Sequence, residues 1–125
     1  MPVPTGLSRA TPPNEVEALL HEKLLFEIQG DESALPWVGR KIGRQAFYDF
    51  VRDIETLTET IAFDVEDVLA SDSRSVIVGA LEARIRATGK TAATQFAIVL
   101  TMTGDLITRF QMLEDSFNVA EAARL

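Results

Sequence analysis

Apolar residues change their spacing sharply near Leu57. Before that point Ile42, Ala46, Phe47, Phe50, Val51, Ile54 and Leu57 recur every three to four positions, the stripe of a long amphipathic helix from about Lys41. After it Ile61, Phe63 and Val65 alternate with Ala62, Asp64 and Glu66, the period of a strand with one face turned inward. Asp67 then falls where an apolar residue is due and Val68-Leu69 follow, a slip that a β-bulge near 65–68 explains. Ser71-Asp72-Ser73 and Thr88-Gly89-Lys90 punctuate the rest, predicting long strands over 76–87 and 91–103. Gly104-Asp105 fits a two-residue type II′ hairpin into a last strand over 106–115. A short helical tail is expected from Asn118. A long helix followed by an antiparallel meander restricts the chain to an α+β fold, with helices on one face of a curved sheet.

Ahead of the long helix the pattern is less regular. Four of the five prolines (Pro2, Pro4, Pro12, Pro13) fall in residues 1–13, which therefore read as a Pro-rich arm that does not form a helix. Asn14 reads as a helix cap with Glu17 at capping-box spacing, and Val16, Leu19, Leu20 and Leu24 predict a helix to about residue 23. Leu24–Gln29 reads as a strand, and 30–40 as a loop carrying the single tryptophan, Trp37. On such a loop a tryptophan serves either as a lid over a cavity mouth or as an apolar anchor. The 125 residues make one domain, at roughly 100–200 residues per domain, read as 14–125 behind the arm.

Nineteen acidic against twelve basic residues leave a net charge of −7, which disfavours nucleic acid and anionic membrane surfaces as partners. The longest apolar runs are far short of the ~18 residues of a membrane span, and no signal-peptide pattern opens the chain, so a cytoplasmic setting is expected. There is no cysteine and only one histidine, His21, so neither a transition-metal site nor a catalytic triad is expected, and no cofactor is implied.

The stretches LLFEIQG (24–30), GRKIGRQAFYDF (39–50), IAFDVEDVLASD (61–72) and 89–115, with its hairpin TMTGDLITRFQMLED, follow one another in an order that resembles the SnoaL-like branch of the nuclear transport factor 2-like superfamily. That branch includes polyketide cyclases, ketosteroid isomerases and limonene-type epoxide hydrolases. The resemblance implies a cone-shaped antiparallel sheet wrapped on a long helix, with an apolar pocket between them. Relatives of this type begin with a long first helix, and the Pro-rich arm stands in its place, so that helix is expected to be missing.

Strand alternation and the resemblance together give a pocket-facing set: Phe26 and Ile28 on the first strand, Leu81, Phe96 and Ile98 on the long strands, Phe110 and Met112 on the last, with Trp37 at the mouth. Carried onto this sequence, the isomerase base falls at Ile28, the epoxide-hydrolase arginine at Gly79 with its two aspartates at Leu81 and Met112, and a cyclase histidine at Ile98. None of these can move a proton. Glu114 is the one acid whose parity turns it to the pocket, hence the one candidate catalytic residue, whereas Asp115 is expected to cap the C-terminal segment. The opposite sheet face carries Val78, Ala80, Ala97 and Val99 inside a charged rim, the make-up of a two-fold homodimer interface.

The function expected from the sequence is therefore that of a small-molecule-binding protein with an apolar ligand. An isomerase, cyclase or hydratase, and a structural homodimeric module with a filled core, are the alternatives.

Overall fold

A computed structural model describes residues 18–124. The Pro-rich arm, and most of the helix expected from Asn14, lie outside the described residues. Within them the order is β1 (Leu20–Ile28), β2 (Gly39–Ile42), α1 (Arg44–Leu57), β3 (Thr58–Ala70), β4 (Arg74–Ile85), β5 (Thr91–Thr103), β6 (Leu106–Glu114) and α2 (Ser116–Ala123). The six strands form one open, curved sheet in the order β2-β1-β6-β5-β4-β3. All neighbours are antiparallel except β1 and β6, which run parallel. This is the expected α+β cone, with one parallel pair that the meander pattern did not contain.

The expected boundaries need correction at the N-terminal side. The first strand begins at Leu20, not Leu24, and helical conformation ends at Leu19. Leu20, Leu24, Phe26 and Ile28 satisfy a period of two as well as the helical spacing, and β6 supplies a pairing partner, with a register shift between Leu20 and Leu25. Residues 39–42, expected as the end of the loop and the start of the long helix, are instead β2, a hairpin partner for β1 with Leu25 opposite Ile42 and Ile28 opposite Gly39. Four residues with one apolar side chain carry no period to read. Ile42, assigned to the helical stripe, is therefore a strand residue and three-quarters exposed. The helix starts two residues later, behind Gly43, whose φ of 110° suits glycine and whose N–H donates to Leu24 O at 2.7 Å.

The meander matches its pattern closely. The bulge expected near 65–68 is present between Val65 and Asp67, and a second lies between Thr60 and Ala62. At the β5–β6 turn Gly104 has φ of 61° while Asp105 stays at negative φ, as a type II′ hairpin requires. Asp115 caps α2 as expected: its side chain accepts from Asn118 N at 3.1 Å, and its own N–H donates to Thr94 Oγ1 at 2.8 Å. Asn118 Nδ2 donates to Ala93 O and Thr88 Oγ1 to Ala122 O, fastening α2 across the β4–β5 hairpin end.

Both helices lie on the inner face of the sheet. Under α1 the core is aromatic: Phe26 stacks on Phe110 at 5.2 Å with a 6° interplanar angle, and Phe50 tilts onto Phe26 at 5.4 Å. Phe47 meets Phe110 edge-on at 5.7 Å. Trp37, held on the 30–38 segment between buried Leu35 and Val38, closes this cluster against Phe50 at 6.4 Å. The space beneath α1 is thus filled with rings.

Candidate functional site

The inner face divides in two. Toward β1 and β6 it lies under α1 and is packed; toward β3 it is open. Of the residues expected to line a pocket, Phe26, Ile28, Trp37, Phe110 and Met112 are buried in or beside the packed half, none more than 6% exposed. Leu81 and Ile98 are only partly buried and belong to its margin. An enclosed hollow directly beneath the long helix, as the sequence led one to expect, is therefore replaced by ring packing. Trp37, 3% exposed, acts there as an anchor; one flank lines a shallow groove of about 440 Å³ with Pro36, Leu57, Ile85 and Ala87.

The open half is built from β3, β4, β5 and the end of β6. In register, Phe63 lies opposite Leu81 and Val65 opposite Gly79. Gly79 continues to Phe96, and Phe96 to Glu114. Phe63 and Val65 remain 53% and 47% exposed. Phe63 stacks on Phe96, with ring centroids 5.0 Å apart and planes at 22°. Gly79 makes that stack possible. A Cβ there would stand 2.2 Å from Asp64 O and 2.7 Å from Phe96 Cζ, so only glycine lets the Phe96 ring lie across β4 to meet Phe63.

Glu114 ends this row. Alternation puts it on the inner face with Phe110 and Met112, directly across from buried Phe96. It is half-buried and makes no hydrogen bond or ion pair with any described residue. Burial, and secondarily the neighbouring Asp115 carboxylate, push its carboxyl up to about 7. A carboxyl near 7 exchanges its proton under ordinary conditions, which is what general acid–base chemistry needs. Glu27, by contrast, points to the outer face and is held by Arg109 at 2.5 Å.

The other buried hydroxyls of the inner face are mostly engaged: Thr58 Oγ1 donates to Ile54 O, and Thr94 Oγ1 to Gln95 O. Ser75 Oγ is buried with no partner among the described residues. His21 is partly exposed, its Nδ1 accepting from Lys23 N at 2.9 Å. Among the described residues no three His, Cys, Asp or Glu side chains converge as metal ligands would. No helix among them is long and apolar enough to cross a membrane.

Sequence reasoning placed Glu114, Leu81, Phe96 and Ile98 at this face but passed over Phe63 and Val65. The signal available was Gly79, a lone glycine inside an apolar strand run, which marks close approach by a neighbour.

An open cone of mixed sheet with helices on its inner face and one half-buried acid at its margin is an α+β architecture. The family model of the SnoaL-like domain matches residues 7–110, and the chain belongs to that family. Its structure is similar to a nuclear transport factor 2-like protein from Burkholderia xenovorans LB400, at 19% identity and TM-score 0.81, covering 89% of this chain and 82% of that one. It is also similar to such a protein from Burkholderia thailandensis E264, at 18% identity and TM-score 0.77, with 90% and 85% covered. A third similar structure is TerC co-crystallised with polyporic acid, at 18% identity and TM-score 0.71, with 88% and 84% covered. No curated protein sequence matches the chain.

Proposed function

We propose that this SnoaL-like protein binds an apolar, ring-containing small molecule on the open half of its inner face. The observation that carries the reading is half-exposed Phe63 stacked on buried Phe96 over Gly79, with Leu81 and Ile98 beside the stack and Glu114 at its end. An exposed ring backed by a buried one, with apolar neighbours and one polar group, is the composition of a ligand surface: area for a ring, and one handle to orient it. That TerC, a structural neighbour, was co-crystallised with polyporic acid is in keeping with this choice of ligand.

A thermal-shift screen with polyporic acid and with steroid- and terpenoid-like compounds tests the reading. A ligand at 100 times its Kd adds about 2.7 kcal/mol to stability. The shift is expected to shrink in Phe63→Ala. No shift with any of these compounds contradicts the proposal and leaves a structural module with a filled core.

A second reading, an isomerase, cyclase or hydratase, is favoured by one observation, the Glu114 carboxyl held near 7 in an apolar setting. In it Glu114 takes up and returns a proton on the bound ring compound. Replacement of Glu114 by Gln then abolishes turnover while ligand affinity stays within a few fold.

The outer face supports a homodimer as the proposed assembly. Val78 lies beside Ala97, which lies beside Leu113; Val76 lies between Leu69 and Val99; Ala80 extends the patch. Leu69 and Leu113 are 56% and 41% exposed. Light scattering behind gel filtration is expected to give twice the chain mass, and a monomer at micromolar concentration contradicts this.

A further inference from the structure

Among the described residues Glu114 has no counter-charge. The cations of the sheet alternate away from the inner face or are held elsewhere: Arg109 by Glu27 at 2.5 Å, Arg84 by Glu59 at 3.5 Å, and Arg86 by the Thr58 carbonyl at 3.1 Å. Arg74 precedes inner-face Ser75 and so points outward. On α1, Arg52 sits between Asp49 and Asp53, and Arg44 lies at the far end beside His21 and Glu22. Arg124, just past α2, pairs with Asp31, and Lys41 and Lys90 donate to the carbonyls of Pro36 and Arg124. The Asp115 carboxylate next to Glu114 adds negative potential. A half-buried carboxyl without a partner is costly to ionise, and a cation brought in by a ligand removes that cost. The neighbouring rings favour the same charge, because the face of a phenyl ring attracts a cation within about 6 Å of its centroid.

We propose, resting on the ligand site described above, that the ligand is an apolar amine, its ammonium paired with the Glu114 carboxylate and its hydrocarbon laid on the Phe63–Phe96 stack. Acid and rings are adjacent by register, since Phe96 is the cross-strand partner of Glu114 and Phe63 covers Phe96. Directly opposed side chains start from Cβ atoms about 5 Å apart, so one compact ligand spans both. The net charge of −7 draws cations toward the protein.

The test uses two probes of equal shape, 1-naphthylmethylamine and 1-naphthylmethanol, titrated by calorimetry into the full chain and into Glu114→Gln and Glu114→Asp at pH 8. The amine is expected to bind at least tenfold more tightly than the alcohol. That preference disappears in Glu114→Gln and persists in Glu114→Asp, which keeps the charge. If the two probes bind equally and Phe63→Ala weakens both, the amine inference is overturned while the ligand face stands. If the amine preference survives in Glu114→Gln, the inference is overturned by a different cation site. If neither probe binds, both the inference and the ligand face fall.

Discussion

Replacing Glu114 by glutamine preserves the shape of the side chain and removes its charge. In the folded protein burial, with Asp115 beside it, raises the carboxyl from 4.5 to about 7; in the unfolded chain it returns to the ordinary range. Between those values the native state binds more protons than the unfolded state, so this group's contribution to stability falls as pH rises. It is fully favourable below pH 4.5 and is lost on the way up through about 7. At about 1.4 kcal/mol per pH unit the whole gap is worth roughly 3 kcal/mol. Part of that loss has already occurred at pH 5, where an unfolded-state carboxyl is largely ionised. Glutamine pays no ionisation cost at either pH, so its advantage over the native residue is expected to be roughly 2 kcal/mol larger at pH 8 than at pH 5. Other groups titrate alike in both proteins and cancel. Urea unfolding of each at the two pH values, read by fluorescence of the single buried Trp37, measures the difference. An advantage that does not change with pH, or a Gln variant less stable at pH 8, refutes the placement of Glu114 in an apolar setting.

Gly79→Ala forces a methyl against Asp64 O and the Phe96 ring, and is expected to cost roughly 1–3 kcal/mol in urea unfolding and to lower ligand affinity by parting Phe96 from Phe63. Phe110→Ala removes the ring that Phe26, Phe47 and Phe50 all touch, with an expected loss of about 3–5 kcal/mol in the same assay. Asp115→Ala deletes the α2 cap for about 1 kcal/mol, and raised amide exchange at Asn118 is its signature.

What the sequence made legible follows from which interactions are local. The helical stripe ending at Leu57, the slip at 65–68, the Gly104 turn and the Asp115 cap are each decided within a few residues, and each is where the spacing puts it. The β1–β6 pairing joins residues more than 80 positions apart in sequence and depends on the whole cone, so no local period announces it. Leu20 shows the same limit from the other side: its neighbours satisfy two periods, and only the tertiary partner Ile107 selects the strand. At the site, parity sufficed to turn Glu114 inward, and Leu81 and Ile98 with it. Parity does not tell how wide the space above a face is. Phe26 and Phe110 therefore read like pocket walls, although the rings of α1 fill the space between them.

The division of the inner face into a packed and a receptive half is most directly tested by aromatic carbon–proton NMR of the phenylalanines during titration with 1-naphthylmethanol or its amine. The account predicts that Phe63 and Phe96 resonances move while those of Phe26 and Phe47 stay fixed. Movement of Phe26 and Phe47 with Phe63 unchanged places the ligand beneath the helix and contradicts it.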